Sequence, residues 1–116
     1  MKVVVQASKT FEDYNVFMRA MAVALSSLKG TEDSITFYSA GPHKINSFLT
    51  GFVNLSEDGM KNRGMSIKMY KVPHSWVENN IDEIDYFVYL SNSNERPSRL
   101  ANMAESRNLE VGVFRY

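Results

Sequence analysis

Tyr86-Phe87-Val88-Tyr89-Leu90 is an unbroken run of apolar and aromatic residues. A strand with one face in water alternates apolar and polar side chains; a continuous run suits a strand covered on both faces. Val3-Val4-Val5 has the same character in β-branched form. Sheets covered on both faces are built from parallel strands joined by helical crossovers. These two runs therefore predict an α/β chain before any other feature is considered.

The rest of the sequence fits that frame. After a turn expected at Gln6-Ala7-Ser8-Lys9-Thr10, the residues Tyr14, Phe17, Met18, Met21, Ala22, Leu25 and Leu28 recur at helical steps. Asp13 or Thr10 can cap the start of that helix, and Gly30 stands where a left-handed residue would end it. Ile35-Thr36-Phe37-Tyr38 reads as a second strand, and the loop Ser39–Lys44 leads to a helix with Ile45, Phe48, Leu49, Phe52 and Leu55 inward. Gly51 weakens that helix by ~1 kcal/mol relative to alanine, unless it serves close packing. Asp58-Gly59 and Arg63-Gly64 predict a turn-rich stretch containing a small basic turn, Lys61-Asn62-Arg63. Met65–Val72 reads as a strand ended by Pro73, and Trp76–Asn80 as irregular or a short helical turn. Following the Tyr86–Leu90 strand, a polar loop Ser91–Arg96 leads to Pro97, suited to a first helical turn. Leu100, Met103 and Ala104 form the inner face of that helix, and Val111-Gly112-Val113-Phe114 is the last strand. The expected architecture is one domain over 1–116, a Rossmann-like parallel sheet of about five strands with helices on both faces. In such sheets ligands bind beyond the carboxyl ends of the strands, where the strand order reverses. With a central first strand, the relevant loops are Gln6–Thr10, Ser39–Lys44 and Ser91–Ser98.

Composition narrows the function classes. The 116 residues carry 13 basic and 13 acidic side chains, so no net field attracts nucleic acid or anionic lipid. There is no cysteine, which removes thiolate zinc sites, disulfides and cysteine nucleophiles and fits a reducing compartment. The apolar run after Met1-Lys2 is too short for a signal peptide, and no stretch approaches the ~20 apolar residues of a membrane span. A cytoplasmic protein without membrane or nucleic-acid partners is expected. His43 and His74 are the two histidines, and no acidic cluster has ligand spacing, so no metal and no cofactor is expected. Nor is there a Walker loop, a dinucleotide fingerprint or a nucleophile elbow.

The segment Ser8-Lys9-Thr10-Phe11-Glu12-Asp13-Tyr14, following a strand, resembles the Ser-x-Thr-Phe-x-Asp-Tyr opening of the SLOG superfamily in its YspA/YpsA-like branch, related to the DprA and LOG proteins. Ile84–Leu90, Ser98–Ala104 and Glu110–Phe114 resemble that family's later strand, helix and closing strand. The resemblance implies nucleotide-derived ligands. Its glycine-rich Ser-Gly-Gly-Ala-x-Gly-Ala-Asp segment is here Ser39-Ala40-Gly41-Pro42-His43-Lys44-Ile45-Asn46, with Asn46 near the acidic position. The later Gly-Gly-x-Gly-Thr loop is here Ser91–Ser98, without glycine. Glycines let backbone N–H groups approach phosphate, so their loss shifts the task to serine, asparagine and helix N-termini. Aligning Ser98 with the family's threonine puts Ala101 at the LOG catalytic glutamate, with Glu105 one turn further and ~6 Å displaced.

Three groups are candidates for ligand contact. Ser8, Lys9 and Thr10 either donate to a phosphate or ribose or form an ordinary turn and cap. Gly41, His43 and Lys44 precede the second helix; Lys44 either pairs with a phosphate there or is a solvated loop lysine. Arg96, Ser98 and Arg99 open the last helix, where arginines oppose the macrodipole; a charged partner or pairing with Glu95 would account for them. No catalytic residue is expected. The leading reading is non-catalytic binding of a nucleotide-derived small molecule. The alternative is an oligomeric or protein-binding subunit, for instance of a virus or mobile element, that has lost ligand binding. The third is a nucleotide N-glycosidic hydrolase.

Overall fold

The structure is a computed structural model, and it describes residues 1–26, 34–91, 96 and 98–115. The chain runs β1 (Lys2–Ala7), α1 (Tyr14–Ser26), β2 (Ser34–Ser39), α2 (His43–Asn62), β3 (Ser66–Lys71), α3 (His74–Asn79), a 3₁₀ turn (Ile81–Glu83), β4 (Tyr86–Ser91), α4 (Arg99–Ser106) and β5 (Glu110–Arg115). All five strands are parallel, in the order β3-β2-β1-β4-β5. The expected α/β sheet with helices on both faces is present. β1 is the middle strand, and the order reverses between β1 and β4.

Alternate side chains of β1 feed two cores. Val3 and Val5 face α1 and α2, among Phe17, Met21, Phe37, Leu49 and Val88. Val4 faces the opposite layer, among Val77, Ile81, Phe87, Leu100 and Ala104. Every residue of β4 is buried, which accounts for its continuous apolar run. β3 and β5 are the edges, and their polar alternation follows.

The structure corrects several local expectations. Gln6 and Ala7 continue β1 rather than starting a turn. The buried face of α1 is Val16, Phe17, Ala20, Met21 and Ala24. Ala22 is exposed, and Tyr14 is 42% exposed. Phe17 and Met21 of the expected stripe are core residues, Met18 and Leu25 pack partly buried against them, and Ala20 and Ala24 rather than Ala22 complete the buried face. Leu28 and Gly30 lie outside the described residues, as does the loop 92–95 with Pro97.

Helix α2 does not stop at Asp58-Gly59 but continues to Asn62, and Leu55 is 76% exposed. Buried Met60 anchors the last turn against the core, which outweighs the ~1 kcal/mol cost of Gly59. The chain turns instead at Gly64, whose φ of 72° is left-handed. Gly51 is exposed, with nothing within 4 Å of where a Cβ would stand, so it serves no close packing. Gly51→Ala should therefore stabilise the protein by about 0.5–1 kcal/mol, read as a higher urea midpoint at unchanged slope. A lower midpoint would contradict an uninterrupted, solvent-facing helix at this position.

Candidate functional site

Four polar side chains are buried among the described residues: Gln6, Ser8, Ser39 and Ser91. All four lie at the carboxyl ends of β1, β2 and β4, the three inner strands. Burying a polar group is costly unless it is hydrogen-bonded, so the strand interiors exclude them and one end of the sheet concentrates them.

Ser39 donates its hydroxyl to Asn46 Oδ1 at 2.5 Å and accepts from the Gly41 N–H at 3.4 Å. Asn46 thus braces the β2–α2 turn. Gly41 has a φ of 85°, which disfavours other residues at this bend. At the end of β1 the Ala7 N–H donates to the Gly41 carbonyl at 3.1 Å and the Ser8 N–H to the Leu90 carbonyl at 2.9 Å. Backbone carbonyls therefore use both amides, and they are not a phosphate cradle. The Ser8 carbonyl accepts the Phe11 N–H at 3.1 Å, closing a tight turn, and Phe11 drops into the core. Asp13, one of the two residues expected to do so, caps α1 by accepting the Val16 N–H at 3.0 Å.

Gln6 connects the layers. It lies on the same face of β1 as Val4, and it is only 6% exposed. Ser98, the N-cap of α4, donates its hydroxyl to Gln6 Oε1 at 2.6 Å and accepts the Ala101 N–H at 3.1 Å. His74, the first residue of α3, places Nε2 3.0 Å from the Ala40 carbonyl and 3.5 Å from Gln6 Nε2. Strand β1, the β2–α2 turn, α3 and α4 thus converge on one amide side chain.

Two clefts open on either side of this contact. One, of about 320 Å³, lies between the loops after β1 and β2, with Ser8, Lys9, Gly41 and Tyr89 on its walls. The other, of about 400 Å³, is bounded by Glu78, Ser98, Arg99 and Leu100. Gln6 and His74 line both.

The nine residues singled out in the sequence separate accordingly. Ser8, Lys9 and Gly41 line the first cleft, and Ser98 and Arg99 the second. Thr10, His43, Lys44 and Arg96 line neither. His43 and Lys44 do not precede α2 but open it, and both are exposed. Lys44 Nζ is 3.8 Å from a Glu12 carboxylate oxygen, which ties the α2 start to the loop after β1. Arg99 pairs with Glu78 of α3, so its charge is answered across the two helices. Arg96 is exposed, and Glu95 lies outside the described residues. Ala101 is buried against the sheet, and Glu105 is exposed further along α4.

Sequence reasoning missed Gln6 as a cleft-lining side chain, and with it His74, Glu78 and Tyr89. Gln6 carried a readable signal, a polar residue in phase with the inward-facing Val4. His74 carried none. Its partners Ala40 and Gln6 lie 34 and 68 residues away.

Ser98→Ala should cost about 2 kcal/mol, because it removes the α4 cap and leaves Gln6 Oε1 without its donor. Ser98→Thr should keep most of that. Equal denaturation midpoints for Ser98→Ala and wild type would contradict this pairing.

Among the described residues no three His, Asp or Glu side chains stand together as metal ligands, and no helix is long and apolar enough to cross a membrane. No protein-family model matches the chain, and no curated protein or solved structure matches it.

Proposed function

We propose that this protein binds a nucleotide-derived small molecule, without turning it over, in the clefts beside Gln6 and His74. The observation that carries the reading is the pairing of open volume with buried polar side chains at the point where the strand order reverses. About 320 and 400 Å³ of adjoining cleft fall in the range of small-molecule sites. That point is also where doubly wound sheets take their ligands. The resemblance of Ser8–Tyr14 and Ile84–Leu90 to the SLOG superfamily supplies the nucleotide class. In place of the missing glycines, Ser8, Gln6 and Ser98 offer side-chain polarity, and Lys9 sits on the rim.

The lining supports binding without turnover. Glu78 is the one carboxylate among the residues lining the two clefts, and it is paired with Arg99. Calorimetry and thermal-shift measurements with nucleotides, ADP-ribose derivatives and cyclic nucleotides test the proposal. At least one should stabilise the protein, by about 2.7 kcal/mol at a hundredfold excess over Kd. Lys9→Glu should weaken that binding, whereas His43→Ala and Lys44→Ala, outside both clefts, should not. No stabilisation by any of them up to millimolar concentration would end the proposal.

A second reading, a protein-binding subunit, has one observation in its favour. Trp76, Tyr38 and Tyr70 form a stacked row, with centroids 4.4 and 5.9 Å apart, and Tyr70 is 51% exposed. A chain that stays monomeric by light scattering and captures no partner would count against it.

A further inference from the structure

The zero net charge of the chain hides one uneven stretch. From Gly59 to Val77 there is no Asp or Glu, while Lys61, Arg63, Lys68 and Lys71 all fall inside it. The fold lays this stretch along one edge of the sheet. Lys61 and Arg63 stand at the end of α2, and Lys68 and Lys71 lie on β3. All four are exposed. Among the described residues no salt bridge reaches any of them; the ion pairs belong to Lys2, Lys44, Arg99 and Arg107. Glu57 shares a small cleft with Lys61 and Lys68, where the two cations outnumber it.

The backbone of the same edge is open. β3 pairs with β2 alone. The Val72 N–H donates to the Ser39 carbonyl at 2.9 Å, on the β2 side. Main-chain groups alternate in direction along a strand, so those of Ile67, Met69 and Lys71 face outward. Side chains alternate as well. Ile67 and Met69 turn toward the core under α1 and α2, whereas Ser66, Lys68 and Tyr70 lie exposed on the other face. The short α3 meets this half of that face at Tyr38, on which Trp76 stacks. Tyr70 carries the stack to the edge and is itself half exposed.

Lysines on an edge strand ordinarily guard it against pairing. This guard is selective by charge. It repels a basic strand, and a second copy of β3 brings the same cations, but an acidic strand is paired by it. Resting on the protein-binding reading above, we propose that β3 takes an extended acidic segment of a partner protein as a sixth strand. The register fixes the pattern of that segment. The residues opposite Lys68 and Lys71 are three apart and on opposite faces, and both are acidic. Between them, the residue opposite Met69 is apolar and the one opposite Tyr70 aromatic. The pattern is acidic–apolar–aromatic–acidic, read in reverse for an antiparallel strand. A single-stranded nucleic acid has the charge and the stacking bases but no main chain for the open edge to pair with.

The experiment titrates the full chain, labelled with ¹⁵N, with a soluble peptide carrying Glu-Val-Tyr-Glu. The backbone amide signals of Ile67, Met69 and Lys71 should shift saturably below millimolar peptide. The same peptide N-methylated on its backbone keeps its charges but loses its donors, and should bind at least tenfold more weakly. A Lys-Val-Tyr-Lys peptide should not bind wild type. The double variant Lys68→Glu, Lys71→Glu should lose the acidic peptide by at least tenfold and gain the basic one. If that variant does not fold, the three peptides on wild type still decide. Equal binding of the N-methylated peptide would reduce the contact to charge alone and overturn strand addition. Single-stranded DNA that shifts these amides where the acidic peptide does not would also overturn it, in favour of nucleic acid. If no peptide moves β3 but light scattering shows self-association, the inference fails and the protein-binding reading survives. A monomer on which every arm is silent overturns both.

Discussion

Phe17→Ala is expected to cost about 3–5 kcal/mol, the range for truncating a fully buried phenylalanine. Phe17 is fully buried, with ring centroids 5.3 Å from Phe48, 6.0 Å from Tyr14 and 6.3 Å from Phe52. Truncation removes the transfer energy of the ring, opens a cavity, and deletes several aromatic contacts worth ~0.5–1.5 kcal/mol each. A domain of this size has roughly 5–15 kcal/mol in total, so the variant should lose about a fifth of its stability or more. Phe17→Leu should lose much less. The urea midpoint measures both. A loss below about 1 kcal/mol for Phe17→Ala would mean that α1 does not pack as described. The same cluster pins α1 to α2 beside the loop after β1, where Phe11 and Phe48 meet at 6.4 Å. Loss of Phe17 should therefore also loosen the first cleft.

Gly112→Val should be the second severe change, at about 1–3 kcal/mol. A Cβ on Gly112 would collide with the Tyr86 hydroxyl and come within 2.9 Å of the Phe114 ring. Tyr86 is 4% exposed, so its ring has little room to retreat. Tyr86→Phe removes the colliding oxygen, and the double variant should recover part of the loss. Additive losses would show that the clash lies elsewhere. The same phenol sets an alkaline limit. Burial, and secondarily the negative charge of Glu110, hold its pKa above the ordinary tyrosine value. The folded state therefore favours the neutral phenol. The associated stability is fully present below about pH 10 and is lost as pH rises through the raised value. Tyr86→Phe should lack this loss, which denaturation midpoints from pH 8 to 11 would reveal.

The candidate site was only half legible in the sequence. Ser8, Gly41 and Ser98 stand at strand and helix ends that local pattern can find. Lys44 and His43 were drawn in by the same logic. They left the site because the first turn of α2 points them to solvent, and Lys44 finds Glu12 instead. Arg99 stayed near the cleft but with its charge answered by Glu78, a residue no spacing rule connects to it. The end of β1 was misread because a glutamine after three valines resembles the start of a turn. Its inward phase became decisive only once α3 and α4 covered that face.

By itself the sequence determined the parallel α/β layering. Continuous apolar runs such as Val3–Val5 and Tyr86–Leu90 need cover on both faces, and helical-period segments between them supply it. That is short-range information, carried by neighbours within a few residues. Tertiary structure alone decided which polar side chains meet at the strand ends. Gln6, His74 and Ser98 span 92 positions and touch because crossovers on opposite faces of the sheet diverge between β1 and β4. No local propensity encodes that convergence; it arises when the layers close on the middle strand.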